Sequence, residues 1–596
     1  MTLGSDLPQP SQALAGASGA QAPPPRGMPD APPWHAQYGD IIPRQLPPPP
    51  WPHLPAALRA AAQRYGAGIA FTTVMPNGMY GSLTYAEVDR ASDAFAHYLR
   101  RVCGLEAGDR VAVQMPNCLS YPVAVVGILK AGCVVVNTNP LYTPDEMKHQ
   151  FIDSGAKAIV LVDLFADKLE SVLADTPIQH VVLTKVPEFF PPLVKQITYG
   201  VMKYWNRVIP AHRLRCVGLP QAMAAGTRAA GGATVDAYHA GATHDDIALL
   251  QYTGGTTGVA KGAMLTHGNL LWNLSQVQAM TGSHIAEGKE VVLTALPLYH
   301  IFAFSVNFLT MYLAGARNLL IPSPRPVQRV QRALENYRVT WLTGVNTLYN
   351  ALLNEEWFIA FPPKHIKAAA GGGAAMHQAV VQSWERQVGA PLVEGYGLTE
   401  SSPVVCFQPL HGERRQNTIG IPAPMTEIRL LGDDGAEVGA GEPGELCVRG
   451  PQVMAGYWQR PDETAKTIVD GWLHTGDVAV MHPDGTFQIV DRKKDMIIVS
   501  GFNVYPNEVE DVLSRHPSVL EAAVIGVPNE KMGEEVQAYV VKREADASAA
   551  VLEAHCREHL TAYKVPRKIV FRDELPKTAV GKILRRELRK EVLGGS

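Results

Sequence analysis

Arg110-Val111-Ala112-Val113-Gln114-Met115 and Cys133-Val134-Val135-Val136-Asn137 read as short strands, with a helix over Tyr121–Lys130 between them. Next comes Thr143-Pro144-Asp145-Glu146, which has a helix cap, a proline in the first turn and a glutamate three residues after the cap. Ala158–Val162 then reads as a strand, Phe165–Leu173 as a helix and His180–Leu183 as a strand. Repeated apolar strand and amphipathic helix predict an α/β fold with largely parallel sheets flanked by helices. The strand order is not readable from this pattern.

Toward the C-terminus the spacing changes. Glu427-Ile428-Arg429-Leu430 and Gly444-Glu445-Leu446-Cys447-Val448 are shorter strands separated by turns such as Asp433-Asp434-Gly435, which predicts a β-rich subdomain. After Asp491-Arg492-Lys493-Lys494-Asp495 the chain reads as a small α+β unit: helix 507–514, strands 521–526 and 536–542, helix 549–560. The charged cluster suits an exposed hinge, and a solvated turn is the alternative. Toward the N-terminus, the first 50 residues hold 13 prolines and almost no periodic apolar pattern, so a disordered tail is expected, with organised sequence from Trp51. The expected division is 1–50 tail, 51–491 large N-terminal domain and 492–596 small C-terminal domain.

The chain has 596 residues, too many for a single core, with 46% hydrophobic and 18% charged residues. A net charge of −3 argues against nucleic-acid binding by bulk electrostatics. The seven cysteines are scattered without metal-ligand spacing and read as reduced thiols. No secretory signal opens the chain, so a cytoplasmic location is expected. Val291–Ala316 lacks Asp, Glu, Lys and Arg, but Pro297, His300, Ser305, Asn307 and Thr310 interrupt it. A buried strand-turn-helix is expected there rather than a membrane span.

Thr253-Gly254-Gly255-Thr256-Thr257-Gly258-Val259-Ala260-Lys261-Gly262 follows the apolar run Ile247-Ala248-Leu249-Leu250. Glycines let backbone N–H groups approach phosphate oxygens, hydroxyls add donors and a lysine adds charge. It is not a Walker A loop, because no GK is followed by Ser or Thr in the required spacing.

Residues 252–262 resemble the signature of the acyl-adenylate-forming (AMP-binding) superfamily. Further resemblances follow in the family's order: Leu298-Tyr299-His300, Glu394-Gly395-Tyr396-Gly397-Leu398-Thr399-Glu400, Gly471–Asp477, Asp491–Asp495 and Pro576–Lys582. Asn139–Pro144 and Val499–Asn507 look most like the bacterial long-chain fatty acyl-CoA synthetase branch. The resemblance implies a large adenylate-forming N-terminal domain and a small mobile C-terminal domain. It also implies a two-step ligase that takes a fatty acid, ATP and CoA as substrates and uses Mg2+.

By the same resemblance, Thr253 and Glu400 hold the metal. ATP or AMP is held by Thr253, Gly254, Gly255, Thr256, Thr257, Gly258, Lys261, Gly371, Gly372, Gly395, Tyr396, Gly397, Thr399, Asp477, Arg492 and Lys582. Lys582 and His300 act with Glu400 and Thr253 in catalysis. Ser500, Gly501 and Phe502 meet CoA, Phe304 gates the acyl tunnel and Lys494 is the hinge. Two rival readings stay open: a fatty acyl-AMP ligase that transfers to a carrier protein, and a catalytically silent lipid-binding protein.

In residues 190–209, Leu193, Ile197, Val201, Tyr204 and Val208 recur at helical spacing beside Lys195, Lys203 and Arg207. This suits an interfacial helix on anionic lipid, placing the protein peripherally on the inner face of the membrane. Packing on its own domain, or on a second copy in a homodimer, is the alternative.

Overall fold

The computed structural model describes residues 32–253, 260–412, 414–543 and 548–594. The stretch 110–184 forms the centre of a sheet whose strands Ile247–Thr253, Val134–Asn137, Arg110–Gln114, Ala158–Val162, His180–Thr184 and Val217–Gly218 lie side by side and parallel. Lys261–Thr266 and Gly456–Tyr457 extend one edge antiparallel. Thr143 caps its helix reciprocally with Glu146, as the sequence predicts. Helix Ser120–Lys130 is buried on every side rather than amphipathic. It lies between two sheets, and its Tyr121 hydroxyl bonds both Asn137 and the Leu298 carbonyl.

The second sheet has the order Ile421–Pro422, Val404–Phe407, Leu392–Gly397, Ala368–Gly372, Trp341–Gly344, Val291–Thr294, Arg317–Leu320, Ile69–Val74, Tyr80–Thr84. Its six central strands, from Leu392–Gly397 to Ile69–Val74, are parallel. Val291–Ala316 is the expected strand-turn-helix: strand Val291–Thr294, then helix over 301–313 with π winding at Ala303–Thr310. Among the described residues no helix is long and apolar enough to cross a membrane. The β-rich subdomain is an antiparallel sheet of Glu427–Leu431, Pro443–Arg449, Trp472–Met481, Ile468–Val469 and Phe487–Arg492.

A fourth sheet organises the C-terminal unit, with helices Pro506–Ser514 and Ala549–His559 packed on one face and Arg585–Leu593 on the other. The expectation of a disordered 1–50 tail needs correction. Residues 1–31 lie outside the described residues, but 32–50 pack on the large domain. Trp34, Tyr38 and Ile42 are buried, Trp34 against Phe487, and the Tyr38 hydroxyl donates to the Pro422 carbonyl. Three large apolar groups outweigh the proline-rich composition there.

Candidate active site

The parallel strands of the second sheet release their C-terminal ends into a cavity of about 2400 Å³, where open α/β sheets commonly bind ligands. Gly371 and Gly372 end one strand, and Gly395, Tyr396 and Gly397 end its neighbour. Gly397 has no substitute: a Cβ there would lie 1.9 Å from the Pro403 carbonyl oxygen. From the first sheet come Thr253, closing strand Ile247–Thr253, and Lys261, its register partner. Gly254, Gly255, Thr256, Thr257 and Gly258 of the expected phosphate loop lie outside the described residues.

On one wall Tyr396 donates to Asp477 Oδ2 at 2.6 Å. Asp477 stands opposite Arg492 in the register of Trp472–Met481 and Phe487–Arg492, and Arg492 Nε lies 3.5 Å from its Oδ1. The aromatic face, the carboxylate and the guanidinium thus form one unit suited to a base, a ribose and a phosphate. Thr399 and Glu400 sit on a short turn beside it. Glu400 Oε1 accepts from the Tyr457 hydroxyl at 2.7 Å, and its carbonyl accepts from Met454 N–H. Lys261 lies over the Tyr457 ring and pairs with Glu463 at 2.5 Å. The lysine's charge is therefore shared with a carboxylate.

His300 and Lys582 face the same cavity. Burial, and after it the nearby Lys582 charge, lowers the His300 imidazole to about 4, so it is neutral at pH 7. Its Nδ1 accepts from Phe302 N–H at 3.4 Å, which leaves the proton on Nε2. Burial lowers Lys582 to about 7, and Arg492 pushes in the same direction. Side chains of the large domain hold backbone carbonyls of the lysine's loop and of the C-terminal unit around it. Arg325 donates to the Thr578 carbonyl at 3.2 and 3.3 Å, Thr347 to the Gly581 carbonyl at 3.1 Å, and Asn350 to the Leu520 carbonyl at 2.8 Å. Gly581 has φ +100°, and a Cβ there would lie 2.8 Å from Thr347 Oγ1. Arg585 adds an ionic knot, reaching Glu510 at 2.7 Å and Asp491 at 3.1 Å.

Two expected sites lie off the cavity wall and a third lies at its rim. Ser500, Gly501 and Phe502 are exposed on the C-terminal unit, away from the cavity wall, and Phe502 stacks on Tyr563. Lys494 lies in an exposed turn at the cavity rim, its carbonyl bonded by Arg589. Phe304, the expected tunnel gate, has its side chain buried against Phe308 and off the cavity wall. In the π winding, residues four to five apart share a face, so Phe302, Val306, Thr310 and Met311 line the cavity. Phe304, Phe308 and Tyr312 turn into the core.

Two wall residues escaped the sequence reading. Tyr457 acquires its partner only through the pairing of Gly456–Tyr457 with Ala263–Met264. Glu394 stood inside a recognised motif but was given no role. Burial raises it to about 8, and a protonated carboxyl can donate as well as accept.

The AMP-binding enzyme family matches residues 58–458, and the AMP-binding enzyme C-terminal domain matches residues 508–582. A long-chain-fatty-acid–CoA ligase of Escherichia coli O157:H7 is 48% identical over 94% of this chain and 98% of its own. A Bacillus subtilis (strain 168) protein of the same name is 37% identical over the same shares. Among solved structures, the anthranilate CoA ligase AuaEII with anthranoyl-AMP has a TM-score of 0.80 at 24% identity, covering 92% of this chain and 98% of that one. ATP-bound MatB from Rhodopseudomonas palustris has a TM-score of 0.74 at 28% identity, covering 90% and 98%.

Proposed function

The chain belongs to the AMP-binding enzyme family, and on that premise we propose that it joins a long-chain fatty acid to CoA through an acyl-adenylate, releasing AMP and pyrophosphate. The observation that carries this is the meeting of neutral His300, Lys582, Glu400 and the Tyr396–Asp477–Arg492 unit around one cavity.

In the first step a fatty-acid carboxylate oxygen bonds to the α-phosphorus of ATP while the bond to the β-phosphate oxygen breaks. Tyr396 offers its ring to the adenine and Asp477 accepts from the ribose hydroxyls. His300 donates its Nε2 proton to the carboxylate and orients it without adding charge. Lys582 meets the negative charge gathering at the α-phosphate in a site screened from bulk water. Glu400 and Thr253 offer hard oxygen donors on the same cavity, which fits Mg2+. The ion would neutralise charge on the departing phosphates. Phe302, Val306 and Met311 supply an apolar wall for the alkyl chain.

The second step needs room for the CoA thiol at the acyl carbonyl, where the thioester forms and AMP departs. Rotation of the C-terminal unit about Lys494 withdraws Lys582 and turns Ser500, Gly501 and Phe502 inward. The outward position of these three while Lys582 is docked supports that alternation.

The 192–205 helix makes a peripheral membrane contact. Its Leu193, Tyr204 and Trp205 are 68%, 74% and 86% exposed, so the helix does not bury them in its own domain. Lys203 and Arg207 offer cations beside them, whereas Lys195 is paired with Glu188.

The deciding experiment supplies ATP, CoA and fatty acids of graded length and follows acyl-CoA, AMP and pyrophosphate. Long-chain acyl-CoA with equimolar AMP is expected. Acyl-AMP that accumulates until a carrier protein is added would overturn the CoA assignment.

A further inference from the structure

Helix Ala549–His559 ends in His555-Cys556-Arg557-Glu558-His559, residues with no part in the adenylating steps described above. Positions 555, 558 and 559 share one side of the helix because residues three and four apart are neighbours. One ligand-capable atom of each, a ring nitrogen or a carboxylate oxygen, lies within 4.8 Å of those of the other two. Donors at about 2.0–2.1 Å from a tetrahedral zinc are roughly 3.3 Å apart, so small rotamer adjustments close the remaining gap.

Two hydrogen bonds prepare the imidazoles. His555 Nε2 donates to the Val512 carbonyl at 3.0 Å, and His559 Nδ1 donates to the His555 carbonyl at 2.9 Å. A carbonyl only accepts, so each of these nitrogens carries the ring proton. The lone pairs are therefore left on His555 Nδ1 and His559 Nε2. This is how a metal-ligating histidine is normally held, with one nitrogen anchored to a backbone oxygen and the other presented to the ion. His516 packs edge-on to His555 at 5.2 Å, and its Nδ1 accepts from Ser518 N–H.

We propose that His555, Glu558 and His559 bind a borderline divalent cation of the Zn2+ class, at a site separate from the Glu400 and Thr253 oxygen donors. Two imidazoles and one carboxylate favour zinc, whereas magnesium prefers an all-oxygen shell and keeps its waters. The three donors come from one turn of helix, so the site exists only while that turn is formed. An ion bound there stabilises the end of the helix. His559 also lines the rim of the shared cavity, so the ion adds positive charge at the edge of the C-terminal unit.

The test uses the full chain stripped by a chelator, without nucleotide and in excess Mg2+. ZnCl2 is titrated by calorimetry and CoCl2 by visible absorption. Uptake of one equivalent is expected, with the intense bands of four-coordinate Co2+. His559→Ala, which removes an exposed ring, should weaken binding more than about 10-fold, and Glu558→Gln should weaken it less. Glu400→Gln should leave zinc uptake unchanged, which separates this site from the magnesium donors. No uptake by the wild-type chain overturns the proposal. So does uptake that persists in a His555→Ala/His559→Ala double variant, since the ion would then be held elsewhere.

Discussion

Lys582 carries the sharpest chemical expectation. Its ammonium is held at about 7 by burial, with Arg492 beside it. A lysine with a lowered pKa loses its proton as pH rises through that value. In the free enzyme, kcat/KM for pyrophosphate release should therefore fall above about pH 7. Bound polyphosphate favours the charged form, so the kcat profile should break at higher pH. Lys582→Ala should cost about 100- to 1000-fold in pyrophosphate release, while thioester formation from supplied acyl-adenylate largely persists. Equal loss in both steps would refute the division of labour. Tyr457→Phe removes the hydroxyl that holds Glu400 and should weaken metal binding about 10-fold, read as Mn2+ affinity with a non-hydrolysable ATP analogue. Unchanged Mn2+ affinity would leave Tyr457 with packing alone. The positions of His300, Glu400, Asp477 and Lys582 were legible in the sequence because their motifs are short and chemically dense. Tyr457 was not, because its partner is set by strand pairing across almost 200 residues.

At the scale of the element, winding decides which side chain meets the ligand. Two residues apart on a helix, Phe302 and Phe304 face opposite sides, and the π turns of Ala303–Thr310 continue the Phe302 face through Val306 and Thr310. Phe302→Ala should change fatty-acid KM and chain-length preference with little loss of stability. Phe304→Ala, in the core, should cost about 3–5 kcal/mol in unfolding and spare the preference. The reverse pattern would return the gate to Phe304. The strands and caps of the α/β layer were readable because they depend on neighbours a few residues away. Strand order was not, since it depends on contacts between segments far apart in sequence. For the 192–205 helix, Lys203→Glu with Arg207→Glu and Trp205→Ala should reduce co-sedimentation with anionic vesicles several-fold, acting on both charge and apolar contact. If dimer mass falls instead and vesicle binding persists, a second copy of the chain covers that face.

Across the whole molecule, composition misplaced the start of the folded chain. Proline content made 32–50 resemble a tail, yet Trp34, Tyr38 and Ile42 are buried, with Trp34 seated beside Phe487, five residues before Arg492 on the same strand. Each buried side chain contributes roughly 1.5–3 kcal/mol, partly offset by ordering the segment. Cutting the chain at residue 50 rather than at 31 should lower Tm by on the order of 5 °C. Equal melting of the two truncations would show that the segment adds nothing.

The docking of the C-terminal unit has a kinetic consequence. Arg325, Thr347 and Asn350 grip carbonyl oxygens of the backbone, and such partly wet hydrogen bonds contribute about 1 kcal/mol each. On the proposed alternation, a hold of that size is weak enough to let go through thermal motion alone. The enzyme thus carries an escapement, and tightening those three grips should slow turnover more than it improves either step.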